Sequence, residues 1–234
     1  MENDTVLWVQ PYANPQKDRK MRTGLLSIFG LIGLITFISV SEGHNTDFRL
    51  PIYTPADLDP DWVHESIQNS TEPHIVHNFE FINQDGKIID EKTVAGKIYV
   101  VDFFFTSCPS ICIDLTKNLQ LVQEAFKEDD NILILSHSVD PTNDTVSRLK
   151  KYSEIYNINS KKWFLLRGSI EDITQMAQLG YFAIAAVDNH DQSELIHTEN
   201  VILVDQNGKI RGIYNGTSSI DVGYLIADIK KLKN

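Results

Sequence analysis

The stretch from Ile98 to Cys112 constrains the fold of this chain more than any other part of its sequence. Residues 98–105 read I-Y-V-V-D-F-F-F, a run of β-branched and aromatic residues that predicts a buried central strand. Cys108 and Cys112, the only two cysteines in the chain, follow directly. Both thiols are therefore expected where a core strand is followed by a helix, a position that favours a lowered thiol pKa.

Strands and helices alternate around this stretch. A turn at 83–87 predicts an N-terminal hairpin, and apolar residues at spacings of three and four predict a helix after Cys112. Further strands are predicted at 131–135 and 163–166, and a second hairpin at 201–214. We therefore expect an α/β domain with a thioredoxin-like fold and an added N-terminal hairpin. A substrate or metal would lie where the strands meet helix N-termini.

Residues 24–41 form an apolar segment of 18 residues without a charge. This length is at the lower end of what crosses a bilayer, and it is long for a cleaved signal. We expect one transmembrane helix, as an anchor or an uncleaved signal. The predicted organisation has four parts: a cytoplasmic segment at 1–23, the anchor at 24–41, a linker at 42–73 and the thioredoxin-like domain at 74–234.

The charges on either side of that segment predict its orientation. Basic residues precede it and acidic residues follow it, so the positive-inside rule places everything after Ser41 outside the cytoplasm. The leader lacks the composition of an organelle transit peptide. We expect a single-pass protein of the bacterial inner membrane with its domain in the periplasm.

The net charge of −11 is unevenly distributed. Residues 1–41 carry four basic and three acidic side chains, which leaves −12 for the rest of the chain. A surface this acidic argues against nucleic acid as a partner.

The spacing of the cysteines predicts redox or metal chemistry. On a helix, residues i and i+4 share a face, with Cα atoms about 6 Å apart, so Cys108 and Cys112 are expected to be able to form a disulfide. Such a disulfide would close only a very small loop, which disfavours a purely structural role. Two thiolates on one face also form a soft chelate that suits Cu(I) well and Zn²⁺ acceptably.

Two thiolates leave a metal short of ligands, and a histidine is the expected third. The candidates are His44, His64, His74, His77, His137, His190 and His197. His137 is expected in a loop directly after a core strand. His197 opens the last hairpin, which in a thioredoxin-like sheet faces the cysteine helix, so it is the best single candidate. No proline follows Pro141, so the cis-proline that thioredoxin-like reductases place opposite their cysteines is missing near His197.

Several motifs now make a resemblance specific. Residues 103–112 read F-F-F-T-S-C-P-S-I-C, residues 138–145 read S-V-D-P-T-N-D-T, and L-K-K-Y at 149–152 and Trp163 follow. His197-Thr198 then precedes a strand and D-Q-N-G-K. In these motifs, from about Phe79 to Gly223, the chain resembles the Sco (SenC) family of thioredoxin-fold copper proteins, which serve assembly of the CuA centre of cytochrome c oxidase.

The resemblance implies copper as the bound metal, as Cu(I) and in some states Cu(II), with Cys108, Cys112 and His197 as its ligands. It implies as partner the cytochrome c oxidase subunit that carries the CuA site, or another copper protein. Three positions depart from the family pattern. Ile113 replaces a proline and Ser110 replaces a frequent acid between the cysteines, and neither change removes a group that must bind metal. Ile196 replaces an acid before the histidine, which removes a possible hydrogen-bond partner of that residue, so copper affinity or oxidation-state preference is expected to differ.

We consider three functions. A membrane-anchored copper metallochaperone, which is not an enzyme, ranks first. A dedicated thiol–disulfide reductase that acts on partner cysteines ranks second, with Cys108 as the nucleophile of the redox pair. A peroxidase of the same fold ranks last, because neither a Thr-x-x-Cys arrangement nor an activating arginine is evident.

Overall fold

The computed structural model describes residues 49–58, 60, 63–76, 78–183 and 198–233. The strands are β1 (Glu80–Ile82), β2 (Ile88–Asp90), β3 (Ile98–Phe104), β4 (Ile132–Ser138), β5 (Trp163–Leu166), β6 (Asn200–Val204) and β7 (Ile210–Asn215). The helices are α1 (Glu91–Val94), α2 (Ile111–Ala125), α3 (Val146–Ile155), α4 (Ile170–Gln175), which continues as a π-helical turn (Met176–Gly180), and α5 (Ser219–Leu232).

A five-stranded sheet of order β5-β4-β3-β6-β7 forms the core. β3, β4 and β5 run parallel, whereas β6 is antiparallel to both β3 and β7. All seven residues of β3 are buried, as expected for a central strand with both faces covered. The predicted thioredoxin-like α/β fold is confirmed. The loop with Cys108 directly follows β3, as the sequence indicated.

The helix after the cysteines packs as its periodicity predicts. Leu115, Leu119 and Val122 lie one turn apart along α2 and are buried, while Lys117 and Leu121 on the other side are exposed. The apolar face of α2 therefore lies against the sheet. This packing fixes the position of the first turn of α2, which contains Cys112.

Two tight turns with related sequences close the two hairpins. In the turn between β1 and β2, Asn83 Oδ1 accepts the N–H groups of Asp85 and Lys87, both at 2.9 Å. In the turn between β6 and β7, Asp205 Oδ1 accepts those of Asn207 and Lys209 at 2.9 and 3.0 Å. Each turn also has a glycine at φ of 73° or 74°, a conformation that other residues rarely adopt. Both predicted hairpins are confirmed.

The first hairpin protects an edge of the large sheet. The buried side chain of Gln84 donates from Nε2 to Trp163 O at 2.8 Å and accepts from Leu165 N–H at 2.9 Å. One amide side chain thus pairs with the outer edge of β5 as a neighbouring strand would. A backbone bridge between Ile82 and Arg167 continues this cover.

The chain before the hairpin packs against the opposite edge. Tyr53 N–H donates to Ile210 O at 3.0 Å, and the Arg211 guanidinium binds the carbonyls of Leu50 and Pro51. Among the residues that the structure describes, no helix is both long and apolar enough to cross a membrane. The predicted anchor at 24–41 lies outside those residues, as does the segment 1–23.

Candidate metal and redox site

The cysteines lie on a loop and on the helix that follows it. β3 ends at Phe104 and α2 begins at Ile111. Cys108 therefore precedes the helix, and its N–H donates to Phe105 O at 3.2 Å, whereas Cys112 belongs to the first helical turn. The expectation that both residues lie on one helical face is wrong, because the helix begins only at Ile111, three residues after Cys108. The loop nevertheless brings the two thiols together.

The two thiols form a reduced and almost fully buried pair. Both cysteines are free, with exposures of 7% for Cys108 and 3% for Cys112. Their side chains hydrogen bond to each other. This contact places the two sulfurs close enough to bind one soft metal ion or to oxidise together.

The pair is electrostatically asymmetric. Burial acts to raise the pKa of Cys108, but hydrogen bonds from the Cys112 thiol and from the backbone of Ser110 and Cys112 outweigh it, so the pKa of Cys108 is lowered. Burial, with the hydrogen bond to Cys108, raises the pKa of Cys112 to about 12. Cys108 is thus the first thiol to ionise, and Cys112 acts as its hydrogen-bond donor.

A buried carboxyl group lies on the same face of the sheet. Burial raises the pKa of Asp102 to about 7. Ser136, its neighbour on β4, donates a hydrogen bond to Asp102 Oδ1, and Trp163 Nε1 donates to Ser136 Oγ at 2.8 Å. The negative charge of Asp102 contributes to the raised pKa of Cys112. Sequence reasoning missed Asp102, although a single charged residue inside an apolar strand was a usable signal.

His137 lies on the other face of the sheet. It pairs with Phe103 in the β3–β4 ladder, one residue beyond the pair formed by Asp102 and Ser136, so its side chain points away from theirs. The sequence placed His137 in a loop beside the cysteines. That prediction is wrong, because β4 runs on to Ser138 and buries the imidazole completely.

The other predicted histidines divide into two groups. His64 Nδ1 hydrogen bonds to Ser66 Oγ at 2.8 Å, and His74 Nε2 to Gly180 O at 2.8 Å. No group of three or more His, Cys, Asp or Glu side chains within the described ranges could hold a metal ion. The remaining predicted candidates lie outside the described residues; they are His44, His77, His190 and His197. His197 as third ligand therefore stays a prediction.

The S-V-D-P-T-N-D-T stretch folds back onto the cysteine loop. Thr145 caps α3, with its hydroxyl accepting Arg148 N–H at 3.3 Å. Asp144 has a different role: its side chain is fully buried and hydrogen bonds to Thr106, two residues before Cys108. Sequence reasoning missed this contact, which joins residues far apart in the chain.

Comparison with known proteins gives the family. A family model described as SCO1/SenC matches residues 67–234, which include the whole sheet and both cysteines. The chain belongs to the SCO1/SenC family. The SCO1 protein homolog of Bacillus subtilis is 31% identical over 156 residues, which are 66% of this chain and 81% of that relative. The resemblance stated from the motifs is confirmed.

Solved structures of SCO1/SenC proteins agree with this assignment. BsSco, a member of the Sco family of cytochrome c oxidase assembly proteins in which a disulfide switch was identified, is 31% identical, with a TM-score of 0.59 over 69% of this chain and 95% of its own. ScoI of Arabidopsis thaliana, solved with copper bound, is 26% identical, with a TM-score of 0.52 over 68% and 99%. The structural comparison and the family model therefore give the same assignment.

Proposed function

We propose that this SCO1/SenC protein is a copper metallochaperone that carries Cu(I) on Cys108 and Cys112. The observation that carries the proposal is the reduced pair of adjacent, buried thiols at the start of α2. Two thiolates in an apolar setting are the donor set that Cu(I) prefers over harder cations. The copper-bound Arabidopsis relative supports copper as the metal.

His197 is our proposed third ligand. Its neighbours Thr198 and Glu199 lead into β6, which pairs with β3 in the register that places Asn200 near the cysteine end of the sheet. The same ligands, with an added oxygen donor, would accommodate Cu(II). The side chain of isoleucine has no hydrogen-bonding group, so with Ile196 before it we expect the imidazole ligand to be less firmly oriented than in relatives with an acid there.

The proposed loading of copper involves two protons. Each thiol must lose its proton to bind as a thiolate, and the proton on Cys112, with its pKa of about 12, is the harder to remove. Cu(I) itself provides the free energy for this deprotonation. Transfer would then proceed by ligand exchange, in which partner thiolates replace Cys108 and Cys112 and each thiol regains a proton.

We propose as recipient the cytochrome c oxidase subunit that carries the CuA site, or another copper protein. BsSco, as a member of a family of oxidase assembly proteins, supports this choice. We further propose that residues 24–41 anchor the chain in the bacterial inner membrane, with the copper domain in the periplasm. The apolar segment and the charges that flank it support this location.

A second function, a dithiol–disulfide reductase, is favoured by the asymmetry of the thiol pair. The lowered pKa of Cys108 suits it to attack a partner disulfide, and Cys112 would then attack the mixed disulfide and release the reduced partner. The net reaction oxidises the Cys108–Cys112 pair and reduces the partner's cystine. The disulfide switch in BsSco supports a pair that changes redox state.

One sample can distinguish the two functions. The reduced full-length chain in detergent is titrated with Cu(I) against a chromophoric chelator under argon, and its turnover on disulfide substrates is then measured. We expect one Cu(I) per chain, weakened by His197→Ala and lost in Cys108→Ser and in Cys112→Ser, with negligible turnover. Undiminished copper binding in the serine variants would contradict the ligand assignment, and rapid turnover without copper binding would favour the reductase.

A further inference from the structure

Asp144 is a completely buried carboxylate in the loop between β4 and α3. Oδ2 accepts hydrogen bonds from Thr106 N–H at 3.1 Å and Ser138 Oγ at 2.6 Å, and Oδ1 accepts from Thr106 Oγ1 at 2.5 Å. A carboxylate is expensive to bury unless donors satisfy it, and here three donors converge on it. Two of the three belong to one residue of the cysteine loop.

A nearby cation supports this arrangement. Arg148 Nε lies 3.8 Å from Asp144 Oδ1 and donates to Thr106 Oγ1 at 2.7 Å. The Thr106 hydroxyl therefore accepts from an arginine and donates to a carboxylate, which fixes its rotamer. Thr106 is held through both its backbone and its side chain.

These contacts act on one thiol of the pair. Thr106 lies two residues before Cys108, and Cys108 N–H donates to Phe105 O, so the loop is tied on both sides of Thr106. Cys112 is instead positioned by the buried face of α2, to which Asp144 does not belong. Loss of Asp144 would thus free Cys108 while Cys112 stayed in place.

We propose that Asp144 is a positioning residue that holds the Cys108 thiol in register with Cys112 in the reduced pair. For copper affinity the proposal rests on the metallochaperone function; for the redox equilibrium of the pair it does not. The contacts occur in the dithiol form, so they favour that form over the disulfide, in which the sulfurs must approach to about 2 Å.

The test is Asp144→Asn in the full-length chain. The amide keeps the size of the carboxylate. Both carboxylate oxygens accept hydrogen bonds, so the NH₂ group that replaces one of them would face another donor. We expect Cu(I) affinity, measured by chelator competition, to fall about tenfold. We expect the equilibrium with a glutathione or dithiothreitol redox buffer to shift about tenfold towards the disulfide, which is a potential about 30 mV more negative.

Asp205→Asn is the matched control. Asp205 is also buried and accepts two backbone N–H groups, and it pairs with Arg211 at 2.7 Å. It follows Val204, which pairs with Tyr99 at the start of β3, so it lies at the end of the sheet opposite the cysteines. We expect the control to lower the melting temperature without changing the dithiol potential or the copper affinity.

Smaller variants keep the test decisive if Asp144→Asn does not fold. Thr106→Val removes one donor and Ser138→Ala removes another, and each is expected to shift the potential in the same direction by less than Asp144→Asn. Potentials equal to wild type in these variants, or equal in Asp144→Asn and Asp205→Asn, would overturn the proposal. Should the wild type take up no Cu(I), the metallochaperone function fails, while the potentials still decide the role of Asp144.

Discussion

The two faces of the β3–β4 pair bury ionisable side chains in opposite ways. On the cysteine face, Asp102 has a hydroxyl donor, Ser136, which is itself held by Trp163. On the other face, neither ring nitrogen of His137 has a hydrogen-bond partner within the described chain, and the imidazole packs against Phe81 and Phe103 with centroids 4.8 and 5.3 Å away.

Burial favours the neutral form on both faces, but the pKa values move in opposite directions. It raises the pKa of Asp102 to about 7 and lowers that of His137 to about 3. An acid becomes neutral by keeping its proton and a base by losing it. The two residues therefore respond oppositely to pH, although they lie on adjacent strands of one sheet.

The largest expected effect belongs to His137. Its pKa is lowered on folding, so its contribution to stability is present above the unfolded value near 6.5 and is lost as pH falls towards 3. Full loss amounts to about 5 kcal/mol at most. In His137→Phe we expect this acid-side loss to disappear, as measured by urea unfolding at a series of pH values. If the variant lost as much unfolding free energy at low pH as the wild type, His137 would not be the cause of that loss.

Asp102 should show the opposite slope with a slightly smaller amplitude. Its pKa is raised on folding, so its contribution is present below about pH 4 and is lost as pH rises through about 7, by about 4 kcal/mol at most. Asp102→Asn keeps an acceptor for Ser136 and removes this loss. Stability should then rise with pH between about 4 and 6.5, by about 1.4 kcal/mol per pH unit from His137 alone.

A double variant checks the comparison between the faces. In the wild type the two slopes oppose each other between pH 4 and 6.5 and largely cancel, and in the double variant both slopes are absent. His137→Phe combined with Asp102→Asn should therefore restore a wild-type dependence on pH in that range. Single variants that share one slope would show that the two sites are not independent.

Trp163→Phe should have a more modest effect, confined to the cysteine face. It removes the Nε1 donor to Ser136 and leaves a buried hydroxyl with an unused acceptor. We expect a loss of about 1–3 kcal/mol in unfolding free energy. The acid-side slope due to His137 should remain unchanged, and a change in that slope would mean that the faces communicate through the sheet.

The smallest effect concerns copper. The Asp102 charge helps to raise the pKa of Cys112, so Asp102→Asn should make that thiol easier to ionise above pH 7. We expect Cu(I) affinity to increase by about threefold or less, because this charge is a minor cause beside burial. His137→Phe, on the other face, should leave the affinity unchanged in the same chelator competition.

Local sequence was sufficient wherever a pattern sets the structure by itself. The apolar run of β3 and the spacing of Leu115 and Leu119 in α2 led to the correct elements, because burial repeats with the period of the backbone. The two glycine-containing turns led to both hairpins, because each requires a positive φ and an Asn or Asp side chain to bind the turn. The motifs around the cysteines led to the family.

Such local patterns do not predict contacts between strands or the conformation of a loop. The sequence ended the strand of His137 before the histidine, and a boundary error of a few residues decides whether a side chain enters a loop or the core. Cys108 lies before the helix rather than on it, because the loop conformation, and not the spacing, brings the thiols together.

By itself, then, the sequence determined the order of the elements, the thioredoxin-like fold and the two cysteines as the reactive pair, since each follows from residues close together in the chain. Only the tertiary structure decided which charged groups surround that pair. Strand pairing of β3 with β4 brings Ser136 to Asp102, and Asp144 reaches the cysteine loop through a contact over 38 residues of chain. Their roles depend on burial and on donors that are distant in the chain. The lone charge of Asp102 in an apolar strand is a local signal, but its donor Ser136 is not, and the contact of Asp144 with Thr106 has no local signal.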